Sequence, residues 1–550
     1  MRMTVAEAVG RTLAQLGVAH MFGVVGSGNF HVTNALIEHG VPFVATRHEM
    51  GAVCMADAYS RVTGKVAAVT VHQGCGLTNA LTGIAEAAKS HTPLVVISGD
   101  TPGQETTSNF YIDQDAVVAA LGAAPHRVHR ATTAVADTCK AFADAVTLRR
   151  TVVLSLPLDL QRAEVDWDPS SVVAPVGIRP AAPSPDAVRD LARRLLAAKR
   201  PVIVAGRGGR GAGPQLRALA EATGALLATS AVARGLFAGD PWALDVMGGF
   251  STDPVAELIA DADLLVSFGA VLTRWTTRNG SLARGKTIVQ IDDRVEAIGS
   301  HQPVDVGIVG DAAIVAAATI AEVAAATGGA PVGGYRPPEV ARVIESSRRW
   351  RDIPYDDRGE AALIDPRTLT IALDDILPAE RVVTVDGGNF VGYPAMFLRV
   401  PDERGYVLPL AFQSIGLSLS SGIGAGVGSP SRVPVVGVGD GAFMMSHVEL
   451  DTAVRIGLGL VVVVYDDHAY GAEVQHFKDE TDELGTVVFP DTDIAAIARG
   501  YGCESVTVRT VDDLAAVERW LAGPRDRPIV IDAKTVAFPS WMNAHAMAGH

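Results

Sequence analysis

The chain has 550 residues, too many for one hydrophobic core, and a prior of roughly 150 residues per domain suggests three or four domains, with three the working number. Apolar residues make up 48% of it and aromatics only 5%, with many Gly and Ala, which suits α/β layers whose helices pack closely on sheets. A formal charge of −15 with no basic stripe excludes nucleic acid as a partner, because binding to a phosphate backbone is driven by clustered Lys and Arg.

In chain order, MRMTVAEAVGRTLAQLG (1–17) reads as an amphipathic helix and not as a signal peptide. No apolar run approaches the roughly 20 residues needed to span a bilayer, so no membrane association and a cytoplasmic location are expected. The four cysteines, Cys54, Cys75, Cys139 and Cys503, lack CxxC spacing, so neither a zinc site nor a disulfide framework is expected. Short Val/Ile/Leu runs alternate with Ala-rich helical patterns throughout, the signature of parallel sheets wrapped by helices. VAAVTV (66–71), PLVVIS (93–98) and RTVVLSLP (150–157) are strands of a first block, 1–170. The Pro-rich VVAPVGIRPAAPSPDAV (172–188) reads as a linker to a second block, 184–330, with strands in RPVIVA (200–205), ADLLVSFGA (262–270) and KTIVQIDDR (286–294). After a second Gly/Pro-rich stretch, ATGGAPVGGYRPPEV (326–340), a third block, 360–550, opens with RVVTVDGGN (381–389). The fold class expected is therefore α/β, with three domains, each a mainly parallel sheet flanked by helices.

Within the second block, GRGGRGAG (206–213) follows a strand, but its spacing is not that of a dinucleotide fingerprint, and no ribose-binding acid stands clearly downstream. A structural use of these glycines and a nucleotide site both stay open.

The third block contains VVGVGDGAFMMSHVELDTAVRIGLGLVVVVYDDHAYGAEVQHF (435–477), in which two apolar strands each end in an acidic cluster. In parallel α/β sheets, ligands sit beyond the carboxyl ends of the strands, where helix N-termini supply N–H donors. Gly439 and Gly441 let backbone approach a phosphate, and Asp440 is placed to hold a hard cation beside it. The stretch from Asp440 to Asp467 is long enough for a helix around 446–456 and a strand at 458–465. That unit returns Asp467 to the same sheet edge, where the two acids can share one diphosphate-bound metal.

This segment closely resembles the diphosphate-binding motif of thiamine-diphosphate enzymes, in which Gly-Asp-Gly is followed, one helix and one strand later, by an Asn pair. Here the pair is Asp466-Asp467, a departure that adds negative charge. The resemblance implies that Asp440 and Asp467 bind magnesium through their side chains and Ala469 through its carbonyl. Gly439, Gly441, Ala442, Tyr470 and Gly471 then lie against the cofactor, as do Gly388 and Asn389. TRHEMGAVCMADAYSRVTGK (46–65) is similar to the family's segment carrying the glutamate that hydrogen-bonds the aminopyrimidine, which is Glu49. A carboxyl in a dry cleft there drives the cofactor toward its proton-accepting tautomer. HQGCGLTNALTGIAEAAKSHTPLVVISGD (72–100) resembles the Gly-Pro-Gly-x-x-Asn segment, with Cys75 in place of Pro and Asn79 as the Asn. QSIGLSLSSGIGAG (413–426) resembles the segment that props the cofactor in its bent form, with Ile415 as the prop and the carbonyl of Gln413 on the aminopyrimidine. The three blocks become pyrimidine-binding, central Rossmann-like and diphosphate-binding domains, as in acetolactate synthases, benzoylformate decarboxylases and pyruvate decarboxylases.

No subtype matches fully. His72 and Ser27 stand where benzoylformate decarboxylases keep a pocket histidine and serine, but their second histidine is replaced by Thr276. Glu473 stands where pyruvate decarboxylases keep a catalytic glutamate, without the adjacent histidine pair of those enzymes. YIDQD (111–115) puts Ile112 in place of the Gln of acetolactate synthases. Bottom up, protonating an alkoxide needs an acid, and His72 and Glu473 are the candidates, with His31, Ala472 and His476 lining the pocket. The expected activity is decarboxylation of a 2-oxo acid with acetolactate-synthase-like carboligation to an aldehyde or ketone. A benzoylformate-decarboxylase-like lyase is the alternative, and an acyl-CoA lyase a further one. A non-catalytic cofactor-binding protein is disfavoured by the presence of Glu49. Thiamine diphosphate and magnesium are the expected cofactors, FAD is admitted but not indicated, and a homodimer or homotetramer is expected.

Overall fold

The computed structural model describes residues 1–540. Three six-stranded sheets carry the chain, and every strand pairing within them is parallel. The first contains β1 (His20–Gly23), β2 (Phe43–Ala45), β3 (Ala67–Val71), β4 (Leu94–Asp100), β5 (Ala124–Arg127) and β6 (Thr151–Pro157), in the order β2-β1-β3-β4-β6-β5. The second contains β7 (Pro201–Ala205), β8 (Leu226–Thr229), β9 (Ala243–Val246), β10 (Leu264–Phe268), β11 (Thr287–Asp292) and β12 (Val306–Val309), ordered β9-β8-β7-β10-β11-β12, the doubly wound arrangement of dinucleotide-binding folds. The third contains β13 (Arg381–Thr384), β14 (Tyr406–Val407), β15 (Val433–Gly439), β16 (Val461–Asp466), β17 (Glu504–Val508) and β18 (Ile529–Lys534), ordered β14-β13-β15-β16-β18-β17. Its strand order repeats that of the first sheet, so the two outer domains are topological copies and the central one is not.

The outer domains share one core. Helix α1 (Glu49–Thr63) of the first and α3 (Ser418–Gly428) of the third lie side by side and run the same way, since Gly424 faces Met55 and Gly428 faces Val62. A Cβ at Gly424 would collide with the Met55 carbonyl, so the glycine permits backbone-to-backbone contact. Phe22, Met55 and Leu77 are buried with Leu419, Ile423, Val436 and Phe443 in a continuous apolar cluster that crosses between the domains. Arg61, at the C-terminal end of α1, reinforces the seam: it pairs with Asp57 and Glu86 and donates to the Leu408 carbonyl. Helix α2 (Cys75–Lys89), which bears Glu86, packs on the other side of α1.

The glycine-rich 206–213 stretch is used structurally. Cβ atoms at Gly206 and Gly209 would meet the backbone of Phe268, Gly269 and Ala270, while Arg207 and Arg210 donate to the carbonyls of Ser90 and Glu403. The loop therefore fastens the central domain to both neighbours. Among the described residues, no helix is long and apolar enough to cross a membrane. The sequence expectation of one helix at 446–456 is corrected: helix α4 (Asp440–Ser446) starts at the strand end, a 3-10 turn (His447–Glu449) breaks it, and α5 (Leu450–Arg455) follows.

Candidate active site

β15 and β16 pair in parallel register, Gly439 opposite Tyr465, so both chain segments leave the sheet at one edge. α4 begins directly at Asp440, which is 8% exposed. Burial, then the charges of Asp467 and Asp466, push the Asp440 carboxyl up to about 8. Asp467 is pushed up to about 7 by burial and by Asp466. Two glycines shape the space between these acids. A Cβ at Gly471 would collide with Asp467 Oδ2, and one at Gly441 with the ring of Tyr470, which is itself braced edge-on by Phe489 at 4.9 Å between centroids. Ala442 is buried in the same first turn of α4, and Ala469 forms a single antiparallel bridge with Val488. Two desolvated carboxyls that repel one another, next to glycine-lined backbone, are a donor set suited to a hard divalent cation and its phosphate ligands.

Asp466 has a different fate from its neighbour. It is 1% exposed and holds the ammonium of Lys534, its partner across β16 and β18, at 2.5 Å. Lys534 also reaches Asp491 at 2.7 Å, Asp532 at 3.2 Å and the Thr492 carbonyl at 3.0 Å. Burial disfavours the ammonium, but its bonds to Asp466 and Asp491 prevail and raise its pKa. The other oxygen of Asp466 accepts the His468 N–H at 3.1 Å, pinning a turn in which His468 has φ +57. The acid pair therefore does not act as a unit: Asp466 supports the loop, and Asp467 faces Asp440. The ligand atoms of Asp466, His468 and Asp491 lie within 4.8 Å of one another, but the Lys534 ammonium already bonds two of the three.

The pyrimidine-side candidates line one wall. Glu49 is the first residue of α1, 8% exposed, and accepts from Asn79 Nδ2 at 3.1 Å. Gly76 separates Glu49 from His72: a Cβ there would lie 3.4 Å from Glu49 Oε1 and 3.0 Å from His72 Cβ. His72 Nδ1 faces the Gln73 carbonyl at 3.1 Å, and because a carbonyl can only accept, Nδ1 carries the proton of the neutral ring. Nε2 is then an acceptor, and Ser27 Oγ lies 3.4 Å from it. In that tautomer Nε2 is the ring atom open to accept a proton. Phe110, absent from that expectation, packs against the His72 ring at 5.1 Å. Ile112 lies two residues further on and is half-buried; His31 is exposed and contacts Phe30.

In the third domain, Ile415 is partly buried against the shared core, within 3.1 Å of where a Gly387 Cβ would stand, and Gln413 has φ +60. Sequence reasoning missed what holds this segment. Asp386, fully buried at the end of β13, accepts the N–H groups of Gly387, Gly416 and Ser418. Burial raises its carboxyl to about 6 against those bonds. Gly388, with φ +125, turns the chain into Asn389, whose amide donates to the Phe538 carbonyl and accepts from Ser540 N–H. Asn389 thus ties this turn to the C-terminal segment, and its Cβ lies close to Gly471. Ala472, Glu473 and His476 follow on helix α6 (Gly471–Phe477), with Glu473 and His476 exposed. Thr276 sits in a short helix of the central domain, its Oγ1 3.2 Å from that of Thr273. The position of Asp386 after a strand was a legible signal; Lys534 had none.

Three family profiles match in succession: the thiamine pyrophosphate enzyme N-terminal TPP-binding domain over residues 3–124, the central domain over 188–319 and the C-terminal TPP-binding domain over 386–533. The chain belongs to the thiamine-diphosphate enzymes. It is 31% identical to a probable 2-ketoarginine decarboxylase of Pseudomonas aeruginosa, over 94% of this chain and 91% of that one. It is 28% identical to a sulfoacetaldehyde acetyltransferase of Roseovarius nubinhibens, over 94% and 89%. It is 27% identical to a probable acetolactate synthase large subunit of Methanococcus aeolicus, over 86% and 82%. As a thiamine-diphosphate enzyme, it carries Glu49 within its match to the N-terminal TPP-binding domain and the acidic strand edge within its match to the C-terminal one.

Proposed function

We propose that this thiamine-diphosphate enzyme decarboxylates a 2-oxo acid and that it uses magnesium. The observation that carries the reading is the continuous wall Ser27–His72–Gly76–Glu49–Asn79, which sets two proton-transfer groups beside one cleft. When bound, thiamine diphosphate supplies the carbon nucleophile that adds to a 2-oxo acid and the electron sink that receives the pair left by CO2. Asp440, Asp467 and the Ala469 carbonyl would hold magnesium, which would in turn neutralise the diphosphate. Glu49, kept in place by Asn79, exchanges a proton with the aminopyrimidine. His72 accepts a proton at Nε2 and returns it to the product carbon or oxygen, with Ser27 orienting the substrate. Ile415 and the carbonyl of Gln413 would support the cofactor from the third domain. Glu473 and His476 border the substrate side.

The Ser27–His72 pair favours release of an aldehyde, and the name of the 31%-identical relative is a decarboxylase's. Carboligation to a second carbonyl, the acetolactate-synthase-like outcome, is the second reading, favoured by the acetyltransferase and synthase names among the other relatives. The chain acts as a homodimer or a dimer of dimers, with the cofactor between the pyrimidine domain of one subunit and the diphosphate domain of the other. Met445, 53% exposed, Phe30, 50%, and Phe477, 45%, are apolar groups near the site residues that such an interface would cover. Mass spectrometry of products from a panel of 2-oxo acids, with and without aldehyde acceptors, tests the reading: CO2 and the matching aldehyde are expected. Turnover that requires an acceptor would move the assignment to carboligation, and no 2-oxo acid consumption by cofactor-loaded enzyme would overturn it.

A further inference from the structure

Glu449 lies in the 3-10 turn His447–Glu449, directly after the helix that begins at Asp440, and is 1% exposed. Its carboxylate leaves its own domain. Oε1 accepts the His48 N–H at 2.9 Å, and the two oxygens share the Arg47 N–H at 3.2 and 3.3 Å. Oε2 is anchored by Thr452 Oγ1 at 2.6 Å. Gly51 makes room: a Cβ there would lie 2.5 Å from Glu449 Oε1. Around this contact, Asp451 pairs with Arg47 Nε at 2.6 Å and Arg455 donates to the Ala45 carbonyl at 2.6 Å.

The backbone that Glu449 grips is the entry to α1, where Glu49 is the first helical residue. The N–H groups entering a helix have no intrahelical acceptor, and a buried donor without a partner is costly, so this carboxylate decides where the turn 47–49 sits. Asn79 holds the Glu49 carboxylate at its side chain; Glu449 holds the two residues before Glu49, Arg47 and His48, by their backbone N–H groups.

We infer that Glu449 is a positioning residue for Glu49, a carboxylate of the diphosphate-binding domain that fixes the backbone bearing the proton-transferring glutamate of the same chain. The inference rests on the role assigned to Glu49 above. In the proposed dimer, Glu449 ties the diphosphate half of one site to the glutamate serving the other.

The test compares Glu49→Gln, Glu449→Ala and Glu449→Gln enzymes loaded with thiamine diphosphate and magnesium, measuring cofactor affinity by calorimetry and the rate of C2-proton exchange per bound cofactor by quenched NMR. Glu449→Ala is expected to keep cofactor affinity within about threefold while exchange per bound cofactor falls by up to about a hundredfold, the scale of an ångström misplacement of a reacting group. Glu449→Gln, which keeps the shape and one acceptor oxygen, should recover part of that loss. A role confined to stability would lower the folded fraction and leave exchange per bound cofactor unchanged. Wild-type exchange per bound cofactor in Glu449→Gln and in folded Glu449→Ala, with Glu49→Gln inactive in exchange, overturns the inference alone. Wild-type exchange in Glu49→Gln overturns the role of Glu49 itself.

Discussion

Replacing Lys534 by Met removes the ammonium that Asp466, Asp491 and Asp532 share in the third domain. Lys534 is 3% exposed, and its partners divide by environment: Asp466 and Asp532 are each 1% exposed at the side chain, Asp491 60%. Asp491 can turn into water, so its loss contributes little. Asp466 cannot, and deleting one partner of a buried ion pair costs about 3–5 kcal/mol. Asp532, which burial already pushes up to about 6 against the pull of Lys534, can escape by taking a proton, so the lower end of that range is expected. The same change frees the Asp466 carboxylate that pins His468 N–H, so the turn bearing Asp467 and Ala469 loosens as well. The assay is a double-mutant cycle of Lys534→Met, Asp466→Asn and their combination, read by urea unfolding and by magnesium titration in the presence of thiamine diphosphate. Lys534→Met should unfold earlier and bind magnesium more weakly, and the double variant should regain part of both losses. Unfolding of Lys534→Met at the wild-type denaturant concentration, with unchanged magnesium affinity, would refute the reasoning.

Asp440→Ala should abolish cofactor retention, because the diphosphate charge is left uncompensated in a buried site, whereas Asp467→Asn should be far milder; calorimetric binding of both ligands decides. The acid pair also sets a pH dependence. A carboxyl whose folded-state pKa lies above its unfolded value keeps its proton longer in the fold, so the stability of the cation-free protein falls as pH rises from 3.8 through about 7 and 8. Cation binding displaces those protons, so magnesium affinity should rise between pH 6 and about 8 and level off above; an affinity that falls over this range contradicts it. Mixing Glu49→Gln with Asp440→Ala subunits after dissociation should recover about a quarter of wild-type activity, since about half the dimers are mixed and each then holds one intact site. Demonstrated subunit exchange without recovery would place the whole site within one chain.

Much was legible in the residues themselves. Apolar runs such as VVVVYD and TVVLSLP are strands because they are buried on both faces, and their alternation with Ala-rich helices specifies parallel α/β domains whatever the contacts between them. Asp440 was legible as an acid at a strand end, a local signal, whereas Glu49, the first residue of its helix, stood out only through the family resemblance. The tertiary structure decided what depends on residues far apart in the chain. It gave Asp466 to Lys534 and Asp467 to the cleft, although the two are neighbours with identical side chains, because β18 pairs beside β16 and brings the ammonium to one of them only. It set the tautomer of the neutral His72 ring through the Gln73 carbonyl, and it gave GRGGRGAG a structural use as a fastening between domains. It also brought Glu449 to the backbone of His48 across some four hundred residues, a contact created by the parallel packing of two glycine-bearing helices and written in no local pattern.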